Sequence, residues 1–369
     1  MQRVLFLIPT LKGGGAEKIL VDLVKQLKKE TFVIEVRTLF HEGPYFEELQ
    51  ELVTVSWCFP KQFRGNSHVM KILSPQMLYR LAIPETYDLI VSFLEGPSTR
   101  ILAGCPDDKI KKIAWVHNEF HSLKELGAAY RTVKELSECY AKMDQVVFVS
   151  QTAQQAFHEI LPVEQSCVLY NPLDFDKCET KSQMRLSSSH FDKKGTRLIT
   201  IGRLAYQKGY DRLLNSLNRL ISEGITDFSL QILGEGEEAQ TLKATCEKLG
   251  LDPYVEFVGF VDNPYAFLAA SDLFVAPSRY EGYSTVITEA TVLGVPVLAT
   301  NCSGMEEILK TTGWITENDE VSFYQKLKEI LQKPEKIDEM RLLTKQRGEE
   351  LRAVDYMEPI KQTLYTYLD

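Results

Sequence analysis

The chain has 369 residues, 44% of them hydrophobic and 25% charged, an ordinary globular composition that excludes a disordered, collagenous or disulfide-scaffold protein. Lys and Arg number 42 against 51 Asp and Glu, and the net charge of −9 argues against a nucleic-acid partner. Seven scattered cysteines with no C-x-x-C pair read as reduced thiols of a cytoplasmic protein, and no apolar run approaches the ~20 residues that span a bilayer.

Strand and helix patterns alternate from the start. Val4–Ile8 is a continuous apolar run, too short for a signal peptide's core and suited to a parallel strand buried on both faces. Gly13-Gly14-Gly15 follows. An amphipathic stretch, Glu17–Lys29, then places Ile19, Leu20, Leu23, Val24 and Leu27 on one helical face. Further strands are expected at Phe32–Thr38, Leu89–Phe93, Lys112–Val116 and Gln145–Val149. Residues 177–194 are polar, serine-rich and without period, and read as a linker or loop. The alternation restarts at Arg197–Ile201 and continues through strands at Phe228–Leu233, Val255–Val258, Leu273–Ala276 and Pro296–Thr300. A last amphipathic helix covers Val354–Leu368. This order predicts two α/β halves, each a doubly wound parallel sheet, with residues 1–176 and 195–353 as domains. In such sheets ligands sit beyond the carboxyl ends of the strands.

Several residues fall at those ends. Gly14 and Gly15 leave a backbone that a ligand can approach, although no G-x-G-x-x-G fingerprint is present, and a plain tight turn is an equal reading. Arg203 and Lys208 flank a strand end in IGRLAYQKG and could converge on a diphosphate, the first as a fork and the second as a point charge. In APSRYEGYSTVITEATVLG, Glu281 belongs to a loop and Ser284 is a candidate N-cap. Glu289 falls inside the following apolar helix, where a carboxylate requires a partner. The amides of Tyr283, Ser284 and Thr285 open that helix and favour an anion. His117, in AWVHN, ends a strand of the first half. The other histidines have no metal-ligand spacing, and no P-loop or G-x-S-x-G motif occurs.

Taken together and in order, GRLAYQKGYDRLL, LGEGEEAQTL, VEFVGFVDN and FVAPSRYEGYSTVITEATVLGVPVLATNCSG resemble the retaining glycosyltransferases of family 4. GGGAEK, WVHN, VSQTAQQAF and LYNPLD do so in the first half. The resemblance implies a GT-B fold, two Rossmann-like domains facing across a cleft, with the C-terminal helix, residues 354–369, packed back on the acceptor-binding first domain. It implies a nucleotide-sugar substrate, no cofactor and no metal. Arg203 and Lys208 would hold the donor diphosphate, with Gly14, Gly15 and Gly202 allowing close approach. Glu281 would meet the sugar hydroxyls, Glu289 the ribose, and Val261 would lie near the base. The amides of Tyr283, Ser284 and Thr285 would seat the phosphates, and His117 would sit near the reacting face of the sugar.

The resemblance extends to bacterial capsule, exopolysaccharide and surface-glycan enzymes, which implies a lipid-diphosphate-linked glycan or other sugar acceptor at the inner membrane face. Two stretches suit peripheral membrane contact: Lys18, Lys25, Lys28 and Lys29 around an apolar helix, and Lys61–Leu81, which mixes Lys61, Arg64, Lys71 and Arg80 with Phe63, Met70, Ile72, Leu73, Met77 and Leu78. Core-packing helices with cationic outer faces are the plainer reading of both. Uridine and guanosine donors stay open, with uridine preferred, and galactose, glucose or an N-acetylhexosamine as the sugar. A catalytically silent partner of this fold or a sugar-nucleotide epimerase is the alternative.

Overall fold

The computed structural model describes residues 1–184 and 195–368. The chain divides into two compact units, Met1–Leu173 with Asp355–Asp369, and Asp174–Val354. The first holds seven parallel strands: β1 (Arg3–Ile8), β2 (Val33–Phe40), β3 (Thr54–Phe59), β4 (Leu89–Ser92), β5 (Lys111–Val116), β6 (Gln145–Phe148) and β7 (Ser166–Val168), in the order β3-β2-β1-β4-β5-β6-β7. The run Val4–Ile8 is inaccessible to solvent, as a central strand covered on both faces must be. The strand order reverses between β1 and β4, so the loops following these two strands meet at the switch point.

Helix Gly15–Leu27 spends its apolar face, Ile19, Leu20, Leu23, Val24 and Leu27, on this core. That removes one of the two candidate membrane stretches, because no apolar stripe is left for a lipid to meet. Helix Met357–Thr366 belongs to the same unit. It buries Ile360 and Leu364, pairs Lys361 with Glu30 at 2.6 Å, and Tyr365 donates its hydroxyl to Glu30 at 2.8 Å.

The second unit holds β8 (Thr196–Ile201), β9 (Phe228–Leu233), β10 (Val255–Gly259), β11 (Leu273–Ala276), β12 (Val297–Thr300) and β13 (Trp314–Thr316), all parallel, in the order β10-β9-β8-β11-β12-β13. Its switch point lies between β8 and β11. Loops 202–209 and 277–284, far apart in sequence, are therefore neighbours. The expected linker at 177–194 differs from the structure in part. Residues Phe175–Ser182 form a helix, capped by Asp174 accepting from the Lys177 amide at 2.9 Å, and residues 185–194 of that stretch lie outside the described residues. The helix buries Cys178, an apolar anchor that a reading for overall polarity passes over.

Candidate active site

The switch point of the second sheet brings together two of the predicted residues. Lys208 Nζ donates to Glu281 Oε1 at 2.6 Å, and Ser278 Oγ donates to the same oxygen at 2.7 Å. Glu281 is buried, whereas Lys208 keeps part of its side chain in solvent. Gly209 explains how the loop achieves this. Its φ of 65° is left-handed, and a Cβ there would lie 2.1 Å from the Pro277 carbonyl oxygen. Only glycine lets the β8 loop press on the β11 loop and still start the helix Tyr210–Ser222. At Gly202 an added Cβ would stand 3.4 Å from Lys208 Cε, so the missing side chain leaves room for the lysine stem.

The same two loops are tied at their outer side. Arg279 donates to both carboxylate oxygens of Asp211, at 2.8 and 2.7 Å, and its guanidinium lies 3.9 Å from the centre of the Tyr206 ring. These hydrogen bonds hold the Asp211 carboxyl below its usual range. Arg203, at the other end of the loop, is exposed and makes no ion pair among the described residues. It is thus not gathered with Lys208 and Glu281.

Helix Thr285–Val292 begins shortly after Glu281, past Gly282, Tyr283 and Ser284. Ser284 occupies its N-cap position, but its hydroxyl caps no amide, so the first-turn N–H groups are not spent on a serine cap. Tyr283 and Ser284 are buried and Thr285 half-buried at this entry. Glu289 sits one turn further on, 3% exposed, and has the partner its burial demands: Tyr265 donates its hydroxyl to Glu289 Oε1 at 3.2 Å. Tyr265 stands on the short helix Pro264–Ala269, which follows half-buried Val261. Tyr265 and Ser278 went unremarked in the sequence, because a single tyrosine or serine carries no motif. Their roles appear only when the chain is folded.

In the first unit, Gly14 is the N-cap residue of the helix Gly15–Leu27, and His117 directly follows β5. His117 is buried between Phe93 and Trp115, with ring centroids 4.7 and 6.1 Å away, and no group among the described residues pairs with its Nε2. Burial pulls its pKa down to about 3, so the ring is neutral at neutral pH. Glu95, in the loop after β4, accepts from the His117 amide at 2.9 Å and from the Asn118 side chain. Burial raises the Glu95 pKa. Glu95 was missed in the sequence. The available signal was its place just beyond β4, beside the strand-order reversal.

Comparison with known proteins identifies the family and the fold. Residues 13–177 match the model of Glycosyltransferase Family 4, and residues 185–347 match that of Glycosyl transferases group 1. The amylovoran biosynthesis glycosyltransferase AmsD of Erwinia amylovora is 27% identical over 86% of this chain and 86% of its own. A Campylobacter jejuni enzyme named as a GalNAc-α-(1→4)-GalNAc-α-(1→3)-diNAcBac-PP-undecaprenol α-1,4-N-acetyl-D-galactosaminyltransferase is 27% identical over 90% of this chain and 89% of its own. Among solved structures, Anabaena HepE in complex with UDP and glucose superposes with a TM-score of 0.75 at 19% identity, covering 99% of this chain and all of that one. Sucrose-phosphate synthase from Thermosynechococcus elongatus gives 0.76 at 15% identity, covering 100% and 99%. The fold is GT-B, and the chain belongs to the glycosyltransferases, with a family 4 region followed by a group 1 region.

Proposed function

We propose that this glycosyltransferase moves a hexose or N-acetylhexosamine, with retention, from a uridine diphosphate sugar to a lipid-diphosphate-linked glycan in bacterial surface-polysaccharide synthesis. The observation that carries the reading is the Lys208–Glu281 pair just before a helix whose N-cap residue, Ser284, caps no amide with its hydroxyl. A cation, a row of amides and a sugar-facing carboxylate are what a departing nucleoside diphosphate and its sugar require. The relatives named for amylovoran and for an undecaprenol-linked glycan support the glycan setting, and HepE with UDP and glucose supports the donor class.

In this reading the bond between the anomeric carbon and the diphosphate oxygen breaks first, and positive charge develops on the sugar. Lys208 and the amides of Tyr283, Ser284 and Thr285 take up the charge on the leaving phosphate, so no metal ion is needed. Arg203, free of any ion pair among the described residues, swings to the same phosphates. Glu289 holds the ribose, with Tyr265 fixing its carboxylate. Glu281 meets the sugar hydroxyls. The acceptor hydroxyl attacks from the face the phosphate leaves, and its proton passes to that phosphate. For Gly14, Gly15 and His117 of the first unit the proposed roles are those the family resemblance implies, with the His117 ring neutral.

The protein works on the cytoplasmic side, peripheral on the inner membrane face. Among the described residues no helix is long and apolar enough to cross a membrane. Residues 61–81 are the surface that supports contact. Phe63, Ile72, Met77 and Leu81 are exposed there beside Lys61, Arg64 and Arg80, and the stretch has no Asp or Glu. Leu78 is core, and Met70 and Leu73 pack against it, so the exposed set is smaller than the sequence suggested.

A thermal-shift screen against UDP, GDP, ADP and their sugars, with and without EDTA, tests the donor. Ligand at 100 times its dissociation constant adds about 2.7 kcal/mol. A selective shift with uridine nucleotides that EDTA leaves unchanged is expected. Loss of the shift in EDTA would overturn the metal-free reading, and a shift with GDP alone would overturn the uridine assignment. The anomeric coupling of the product, read by NMR, decides retention.

A further inference from the structure

We infer that Arg279 is a positioning residue, which clamps the loop carrying Lys208 onto the loop carrying Glu281 and thereby sets the affinity for a nucleoside diphosphate. The inference rests on the reading that Lys208 and Glu281 meet the donor, and it adds a residue that touches neither donor nor acceptor.

The contacts lie on both sides of Lys208. Before it, the Arg279 amide donates to the Gln207 carbonyl at 2.7 Å, Arg279 Nη1 donates to the Tyr206 carbonyl at 2.9 Å, and Gln207 Nε2 donates to the Tyr280 carbonyl at 3.0 Å. After it, the Arg279 fork grips Asp211 in the first turn of the helix Tyr210–Ser222. Tyr206 is 61% exposed, and the guanidinium covers one face of its ring. Arg279 is held in turn, since Asn318 Nδ2 donates to its carbonyl at 2.7 Å and Arg212 Nη1 donates to Asn318 Oδ1 at 2.8 Å. A planar fork that also stacks is arginine chemistry, which a lysine's single ammonium does not reproduce.

Global stability accounts for only a small part of such an arrangement, although the Arg279 side chain is only 14% exposed. The Asp211 side chain is 46% exposed, and partly exposed ion pairs contribute little to folding. The contacts instead fix a loop whose own conformation, with a left-handed Gly209 and a short helical turn at Tyr206–Lys208, would otherwise be loosely determined. What the clamp defines is where the Lys208 ammonium points.

The test uses the full chain with Arg279→Met, Arg279→Lys and Asp211→Asn. Acylation of Lys208 by an amine-reactive ester, followed by peptide mass spectrometry, reads the loop without any nucleotide. Affinity is measured for whichever of UDP, GDP and ADP the wild type binds, and for the matching monophosphate. Arg279→Met is expected to raise Lys208 acylation several-fold and to weaken the diphosphate about tenfold, the size of one charge-assisted contact, while the monophosphate changes less than twofold. Asp211→Asn, the milder change, moves both in the same direction, and Arg279→Lys does not restore them. Folded Arg279→Met and Asp211→Asn proteins with wild-type acylation and diphosphate affinity would overturn the inference. If the wild type binds no nucleotide, the donor reading fails, and the acylation rates still decide whether the clamp exists.

Discussion

Lys208 Nζ stands 2.6 Å from Glu281 Oε1, across 73 positions of sequence, and Ser278 gives the same oxygen a second donor. The pair is built by topology: β8 and β11 are adjacent although β9 and β10 lie between them in the chain. Removing the cation alone strands a buried carboxylate. Lys208→Met is therefore expected to lose roughly 2–3 kcal/mol of stability in urea unfolding, and Lys208→Met with Glu281→Gln to regain most of it. Turnover does not return with stability. Each variant is expected to lose at least ~100-fold in kcat, as for the loss of a preorganised charge contact. A double variant with near-normal transfer would remove the pair from the mechanism.

Tyr265 and Glu289 supply a second, separable test. Tyr265→Phe deletes only the hydroxyl that orients Glu289 and leaves the ring in its packing place. One hydrogen bond contributes about 1 kcal/mol, so nucleotide affinity is expected to fall about fivefold in calorimetry. Glu289→Gln is expected to fall further, by about tenfold or more, because in the proposed reading the ribose loses a charged acceptor. Equal affinity in wild type and Glu289→Gln would exclude the ribose role.

What the sequence disclosed follows from burial. The central strands β1, β4, β5, β6, β8, β9 and β11 are rich in buried apolar residues on both faces, with only a few polar ones such as Ser229 and Gln231 among them, and all were legible. The three strands that were not, β3, β7 and β13, are sheet edges. Thr54–Phe59 is largely half-exposed, and Ser166–Val168 and Trp314–Thr316 have only three residues each, too few for a period. In the site, the charged residues at strand ends were visible because charge beside apolar runs stands out. Ser278, Tyr265 and Arg279 were not, since each is defined by a partner on another element. Glu95 was hidden for the same reason, its partners being His117 and Asn118.

His117 predicts a pH dependence of stability. Its folded pKa is lowered from 6.5 to about 3, so the unfolded chain takes up a proton that the folded chain refuses. The sign follows: the contribution is intact above pH 6.5 and is lost as pH falls toward 3. Between pH 7 and pH 5 the residue removes about 2 kcal/mol. Glu95, facing the His117 amide with its pKa raised, acts in the opposite sense over the acidic end of this window. Urea unfolding of His117→Gln at both pH values is expected to show a loss smaller by about 2 kcal/mol than that of wild type. The same loss in both proteins would mean that His117 is protonated in the folded state.

The exposed stretch at residues 61–81 yields the last test. Lys61, Arg64 and Arg80 are exposed, and each cation near an anionic surface contributes about 1 kcal/mol. The chain as a whole is acidic, so a general electrostatic attraction to such a surface is absent and the local cations must act alone. Sedimentation with vesicles containing phosphatidylglycerol is therefore expected to weaken about 100-fold when all three become glutamine. Ile72→Ser with Met77→Ser, changing exposed side chains only, is expected to weaken binding without altering its salt dependence. Neutral vesicles separate the two contributions, because only the apolar one persists there. Binding to anionic vesicles that survives the triple glutamine change would move membrane contact away from this stretch.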